Sequence, residues 1–109
     1  MKLLPSLRQK KRYIVFEILS KEQFSFSDAK KAVDETLLLF LGQLGLAKAL
    51  PMMLKEKYKN NTFLLKINNK YVDQAKSAVI LIKKIKNEPV ILRSIITSGT
   101  LKKASSYEV

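Results

Sequence analysis

The sequence contains no cysteine and no histidine, and only three of its 109 residues are glycine. Without Cys or His the chain has no thiol nucleophile, no imidazole base, no Ser-His-Asp arrangement and no ordinary set of zinc ligands. Three glycines, at positions 42, 45 and 99, cannot form a dinucleotide-binding or phosphate-cradling loop. The absence of cysteine also fits a reducing compartment, so we expect a cytoplasmic protein with no catalytic residues of its own.

Acidic residues and long apolar runs are also scarce. The longest stretch without a charge, Thr36 to Ala47, spans 12 residues, whereas a membrane-spanning helix needs about 20. This stretch lies inside the chain and is therefore not a signal peptide. The nine acidic residues are scattered and include no close carboxylate pair with a base. We therefore expect neither acid-base catalysis nor a bound metal or cofactor on the protein itself.

Positive charge is abundant, with 21 Lys and Arg and a formal net charge of +12. An anionic partner usually relieves self-repulsion of this size, and we expect that partner to be RNA. The densest cluster is an N-terminal arm with four cations, Arg8, Lys10, Lys11 and Arg12. Lys76 and Lys83 add charge on the outer face of the second predicted helix. The alternative for the arm is a solvated tail that only keeps the protein soluble.

Apolar periodicity predicts six elements in the order strand, helix, strand, strand, helix, strand. The predicted strands are 13–19, 52–58, 62–68 and 90–97. The first helix is capped by Ser25 or Ser27 and is ended by Gly42 and Gly45, with Gly45 as the left-handed residue after the helix. The second is capped by Asn68 or Asn69, and its apolar stripe runs from Tyr71 to Ile85. This order predicts an α+β, ferredoxin-like split βαβ sandwich, an antiparallel sheet with two helices on one face. We expect a basic arm at 1–12, the domain at 13–97 and a basic segment at 98–109.

The first predicted helix carries more apolar surface than one layer of sheet can cover. Leu38, Leu39 and Leu41 lie outside the stripe that faces the predicted core. Little chain is left to cover them, so we expect these leucines to contact a protein partner.

The stacking pattern of RNA-recognition modules is absent from this chain. The segment from Thr62 to Asn69 lacks the glycine and the aromatic pair of that pattern. Phe63 alternates with Leu65 and Ile67, which predicts a core position for its ring. Base readout by aromatic residues on the sheet is therefore disfavoured.

Three segments carry a resemblance to a known family. They are Leu-Pro-Ser-Leu-Arg-Gln-Lys-Lys-Arg-Tyr-Ile-Val-Phe at 4–16, Leu-Gly-Gln-Leu-Gly-Leu-Ala-Lys-Ala at 41–49, and Ser-Gly-Thr-Leu-Lys-Lys at 98–103. In this order, with a split βαβ pattern between them, they resemble the archaeal ribonuclease P protein component 2 family. The resemblance implies a non-catalytic subunit of an RNA-based endoribonuclease that removes the 5′ leader of precursor tRNA.

The resemblance also implies partners and contact residues. The implied partners are the catalytic domain of ribonuclease P RNA and ribonuclease P protein component 3. Two pairs of these proteins can form a heterotetramer. Contact with precursor tRNA would be indirect, through the RNA. Mg²⁺ is expected on the RNA and not on the protein. By position, nine residues match the family's basic segments: Arg8, Lys10, Lys11, Arg12, Ser98, Gly99, Thr100, Lys102 and Lys103.

Three other functions remain open at this stage. A ribosomal-type RNA scaffold protein would share the charge and the superfold but bind a different RNA. An acylphosphatase-type enzyme would need a glycine-rich anion loop after the first strand, and the segment from Ser20 to Ser25 has no glycine. A ligand-sensing domain would bind a small molecule without RNA.

Overall fold

A computed structural model describes residues 11–99 of the chain. Four strands form one antiparallel sheet in the order β2-β3-β1-β6, and β4 and β5 form a separate short hairpin. In chain order the elements are β1 (Lys11–Leu19), α1 (Phe26–Ala49), β2 (Met52–Met53), β3 (Thr62–Asn68), α2 (Val72–Ile80), β4 (Lys84–Ile85), β5 (Glu88–Pro89) and β6 (Ile91–Ser98). This is the predicted ferredoxin-like split βαβ arrangement.

The first strand is central because both of its edges are paired. Its residues pair with β3 from Lys11↔Asn68 to Glu17↔Thr62, and with β6 from Tyr13↔Ser98 to Leu19↔Ile91. The register with β6 shifts between Val15 and Phe16, so Ile95 is the extra residue of a bulge. One end of β1 therefore lies beside the last residues of β3 and β6.

The main core lies between the sheet and the two helices. Phe16 and Phe63 are fully buried at its centre, with their rings stacked 5.2 Å apart. Around them pack alternate residues of the strands and one stripe of each helix, including Ile14, Leu65, Val33, Leu37, Ala75 and Val79. The predicted core position of Phe63 is therefore confirmed.

The other sheet face has no helix over it within residues 11–99. Val15 and Leu64 are nonetheless buried there, because Tyr13, Leu54, Ile95 and Ile96 pack around them. Towards the far end of β1, Leu19 is exposed. Both faces of β1 are therefore covered at its centre, by the helices on one side and by neighbouring side chains on the other.

The first helix begins with the predicted Ser25 cap. The Ser25 hydroxyl accepts a hydrogen bond from the backbone N–H of Asp28, as in a capping box. Burial tends to raise the pKa of the Asp28 carboxyl, but hydrogen bonds from Ser25 and the Lys86 ammonium 3.3 Å away outweigh it. The pKa of Asp28 therefore lies below its ordinary value of 3.8.

Replacing Asp28 with Asn should make stability less dependent on pH. A carboxyl with a lowered pKa in the folded state stabilises that state above pH 3.8, and this contribution disappears as the pH falls through the folded pKa. The difference in unfolding free energy between wild type and Asp28→Asn should therefore shrink on acidification. Urea unfolding at a series of pH values measures it, with Asp34→Asn on the same helix as the control. A difference that grows in acid would contradict the assignment.

The glycines of α1 behave differently from the prediction. Gly42 adopts φ +72° and ψ 175°, a conformation almost confined to glycine, and interrupts the helix. The chain then becomes helical again through Gly45 and ends at Leu50, which takes the left-handed capping conformation. Gly42 therefore interrupts the helix without ending it, and the prediction that Gly42 and Gly45 end the helix is wrong.

The second helix is shorter than predicted. It ends at Ile80, and Lys84 to Pro89 form a hairpin whose turn residues Lys86 and Asn87 both have positive φ. Val79, Ile82 and Ile85 are spaced as on one face of a helix, and this spacing suggested a longer helix. All three side chains are buried, but the last two lie outside the helix. Periodicity over so few residues does not distinguish a helix from a buried irregular segment.

The strand predicted at 52–58 is also shorter. Pairing covers only Met52 and Met53, and Lys55–Lys57 form a 3₁₀ turn. Asn60 and Asn61 have positive φ and reverse the chain into β3. Lys55, Lys57 and Lys59 therefore do not alternate along an edge strand, and all three are exposed.

Asn61 joins this turn to the loop between β1 and α1. It is 5% exposed; its side-chain oxygen accepts from the Phe24 N–H at 2.9 Å, and its side-chain nitrogen donates to the Glu22 carbonyl at 2.8 Å. The Tyr58 hydroxyl donates to the Phe24 carbonyl at 2.6 Å, and burial, followed by the charge of Asp28, raises the pKa of Tyr58 above 10.0. We call Glu22, Phe24, Tyr58 and Asn61 the Asn61 clamp.

Candidate nucleic-acid interface

Four predicted RNA-contact residues meet at one end of the sheet. Lys11 and Arg12 begin β1, Ser98 ends β6 opposite Tyr13, and Gly99 follows it. These residues are far apart in sequence and are brought together only by the pairing of β1 with β6. The structure thus joins the N-terminal and C-terminal basic segments at their points of attachment to the domain.

Three further cations belong to the same end, and they were not predicted from the sequence. Lys66 lies opposite Tyr13 on β3. The buried Asn68 side chain accepts from the Lys70 N–H at 3.1 Å and donates to the Lys48 carbonyl at 3.3 Å, so it fixes these two residues beside the end of β3. We call Lys11, Arg12, Lys48, Lys66 and Lys70 the basic end. Lys66 could have been identified from its alternation with Leu64 and Asn68, because this pattern predicts that one face of β3 is partly exposed to solvent.

The positive charge of the basic end is not neutralised by ion pairs. Those between described residues join Lys30 with Asp34, Lys86 with Asp28, and Arg93 with Glu17. None of them uses a cation of the basic end. The Lys11 ammonium is shielded from solvent and has no hydrogen-bond partner among residues 11–99, an arrangement in which an anion would be favoured. The five cations together produce a local positive potential.

Ser98 and Gly99 differ in what they present to a ligand. Ser98 is 7% exposed and leaves little surface for a direct contact. Gly99 is exposed, and the Arg12 guanidinium lies against it. Contact of either residue with RNA stays a prediction.

Lys76 and Lys83 do not share a helix face as predicted. Lys76 lies within α2 and is partly exposed, whereas Lys83 follows the end of that helix. The Lys83 carbonyl accepts from the Val90 N–H, next to the Leu19 end of β1. Since β1 spans nine residues, roughly 26 Å of strand at the usual rise separate this end from Lys11. Lys83 is therefore remote from the basic end.

The remaining predicted contacts lie outside the described residues. They are Arg8, Lys10, Thr100, Lys102 and Lys103, which belong to the two segments that adjoin the basic end in sequence. They stay predictions.

The predicted protein-contact leucines lie around the break in α1. Leu38 and Leu39 are 44% and 82% exposed, and Phe40 and Leu44 add exposed apolar surface on either side of Gly42. Leu41 is only partly exposed because it packs against the main core. A groove of about 590 Å³ runs between α1 and α2 beside it, with Tyr71, Gln74 and Ser77 on the α2 side. Neither helix of the described chain is long and apolar enough to cross a membrane.

These features define a small α+β protein with a cation-rich sheet end and an apolar helical surface. The sequence model of the Rpp14/Pop5 family matches residues 12–108. The chain is 37% identical over 101 residues to ribonuclease P protein component 2 of Thermococcus kodakarensis, covering 93% of this chain and 84% of the relative. It is 33% identical over 102 residues to the protein of the same name from Methanocaldococcus jannaschii, covering 94% and 75%.

A solved structure has the same fold. A chain in the cryo-EM structure of yeast ribonuclease MRP superimposes with a TM-score of 0.68 at 14% sequence identity, covering 93% of this chain and 79% of that one. The chain belongs to the Rpp14/Pop5 family.

Proposed function

We propose that the chain is a protein subunit of ribonuclease P that supports the catalytic RNA in removing the 5′ leader of precursor tRNA. The observation that carries this proposal is the basic end, where five cations have no carboxylate partner within residues 11–99 and lie near the attachment points of two further basic segments. The names of the archaeal relatives support the same assignment. In this proposal the RNA performs the reaction and the protein contributes no catalytic group.

Charge neutralisation is the proposed mechanism. Folding an RNA active site brings phosphates together, and fixed cations lower their repulsion while releasing condensed counterions. The β1–β3 and β1–β6 pairing fixes the backbone positions of Lys11, Arg12 and Lys66 before any RNA is bound. The protein would then replace part of the Mg²⁺ that the RNA otherwise needs, with Mg²⁺ remaining on the RNA.

A protein partner is proposed for the apolar helical surface. Leu38, Leu39, Phe40 and Leu44 are all exposed within seven positions of α1, and exposed apolar patches on a small protein commonly mark a protein interface. We propose ribonuclease P protein component 3 as the partner, with Leu41 contributing through its exposed part. Two such pairs would form a heterotetramer.

Reconstitution tests the proposed function. Ribonuclease P RNA is assayed for leader removal from precursor tRNA with and without this protein and component 3 over a range of Mg²⁺ concentrations. The proteins should lower the Mg²⁺ requirement several-fold, because fixed cations take over part of the screening. This protein alone should cleave nothing.

Two results would contradict the proposal. One is cleavage by the purified protein without RNA that survives removal of contaminants. The other is an unchanged Mg²⁺ requirement in the presence of both proteins. If the protein instead recovered ribosomal RNA from lysate, the role of a ribosomal-type scaffold would replace it.

A further inference from the structure

Gly99 and Arg12 form a contact that the backbone pairing imposes. Tyr13 pairs with Ser98, and one more step in the same antiparallel register places Arg12 opposite Gly99. The Arg12 side chain crosses the end of β6 at this point. A Cβ atom built on Gly99 would lie 2.5 Å from Arg12 Nη1 and 3.6 Å from Cζ. Any other residue at position 99 would therefore occupy the space that the guanidinium now fills.

The requirement for glycine here is one of space and not of backbone conformation. Gly42, by contrast, has a positive φ, and a Cβ there would meet nothing within 4 Å. At Gly99 the neighbours of the added atom within 4 Å, among residues 11–99, are Arg12 Nη1 and Cζ. Because these atoms end a flexible side chain, an added methyl group would displace the guanidinium without disturbing the sheet.

We propose that Gly99 is a positioning residue that seats the Arg12 guanidinium at the basic end for contact with an RNA phosphate. This inference rests on the proposed function and deepens it, because it assigns Gly99 a role through Arg12 instead of a direct RNA contact. Arg12 has no ion pair with a described carboxylate, so its charge is available to an external anion. A guanidinium held in one orientation loses less freedom when it binds a phosphate in a bidentate manner.

A double-mutant cycle tests the coupling. Binding to a ribonuclease P RNA transcript is measured for the wild type, Gly99→Ala, Arg12→Ala and the double variant. Each single change should weaken binding on the order of tenfold, the loss of one charge-assisted contact, and the double variant should bind no worse than Arg12→Ala. Arg93→Ala removes the same charge near the far end of β6 and serves as the control. Thermal unfolding of Gly99→Ala should match the wild type.

A second measurement is independent of RNA. The backbone and side-chain ¹⁵N relaxation of free protein should report an ordered Arg12 Nε–H in the wild type and a more mobile one in Gly99→Ala. Failure of the wild type to bind RNA would remove the proposed function but leave this test of positioning intact. Independent, additive losses in the cycle, or an Arg12 side chain equally ordered in both proteins, would overturn the inference. If Gly99→Ala alone folded poorly, stable folding of the double variant would still indicate that the two side chains compete for one space.

Discussion

Replacing Asn61 with Ala should lower the free energy of unfolding by about 2–4 kcal/mol. The change removes both side-chain hydrogen bonds of the Asn61 clamp and leaves the buried Phe24 N–H without its acceptor. It also forces an alanine into a backbone with φ 59°, which asparagine tolerates better. A loss of this size should lower the melting temperature by roughly 10 °C or more in a domain of about 100 residues.

Two neighbouring variants separate the causes. Asn60 has φ 51° and is exposed, so Asn60→Ala carries the backbone cost without breaking the clamp. Asn61→Gly removes the same hydrogen bonds, but glycine adopts a positive φ without strain. This variant should therefore be less destabilising than Asn61→Ala by about 1 kcal/mol. Urea unfolding of the three proteins provides the comparison. Equal destabilisation by Asn60→Ala and Asn61→Ala would show that the clamp adds nothing.

The fold was predictable where hydrophobic periodicity extends over a whole element. Strands β1, β3 and β6 and most of α1 follow from it, as does the Ser25 cap, because a capping motif is local in sequence. The hairpin after α2 could not be predicted in this way, because the buried residues Val79, Ile82 and Ile85 have a spacing that also suits a helix. The short β2 was not predictable either, because apolar spacing does not mark the 3₁₀ turn at Lys55–Lys57 that follows it. The Asn61 clamp was not predictable because the partners of Asn61 lie about 40 positions away in the chain.

Only those residues of the candidate site that are neighbours in the sequence could be predicted as a group. Lys11 and Arg12 stand in a visible cluster of charge, but their meeting with Ser98 and Gly99 depends on the pairing of β1 with β6. Lys48 and Lys70 join them through Asn68, a single buried amide that no sequence pattern marks as a junction. Lys83 was predicted to lie on the same helix as Lys76, but this helix ends at Ile80, so the two residues do not share a helix face.

Replacing Lys11, Lys66 and Lys70 together with Ala should weaken RNA binding and flatten its dependence on salt. Each phosphate that the variant no longer neutralises should lower the slope of log affinity against log salt by about 0.7–0.9, so three phosphates account for a change of about 2–3. The fold should survive, because none of the three side chains takes part in an ion pair between described residues. Filter binding or fluorescence titration with ribonuclease P RNA over a range of salt concentrations measures the slope.

A matched triple variant distinguishes the basic end from net charge alone. Lys55, Lys57 and Lys59 are exposed near the turn into β3, where Thr62 pairs with Glu17 at the other end of the sheet. Replacing them with Ala removes the same three charges, so any uniform effect of net charge must appear equally in both variants. Only a cluster that touches the phosphates reduces the number of counterions released, and therefore the slope. Equal slopes for the two variants would show that RNA is attracted by the whole protein and not held at the basic end.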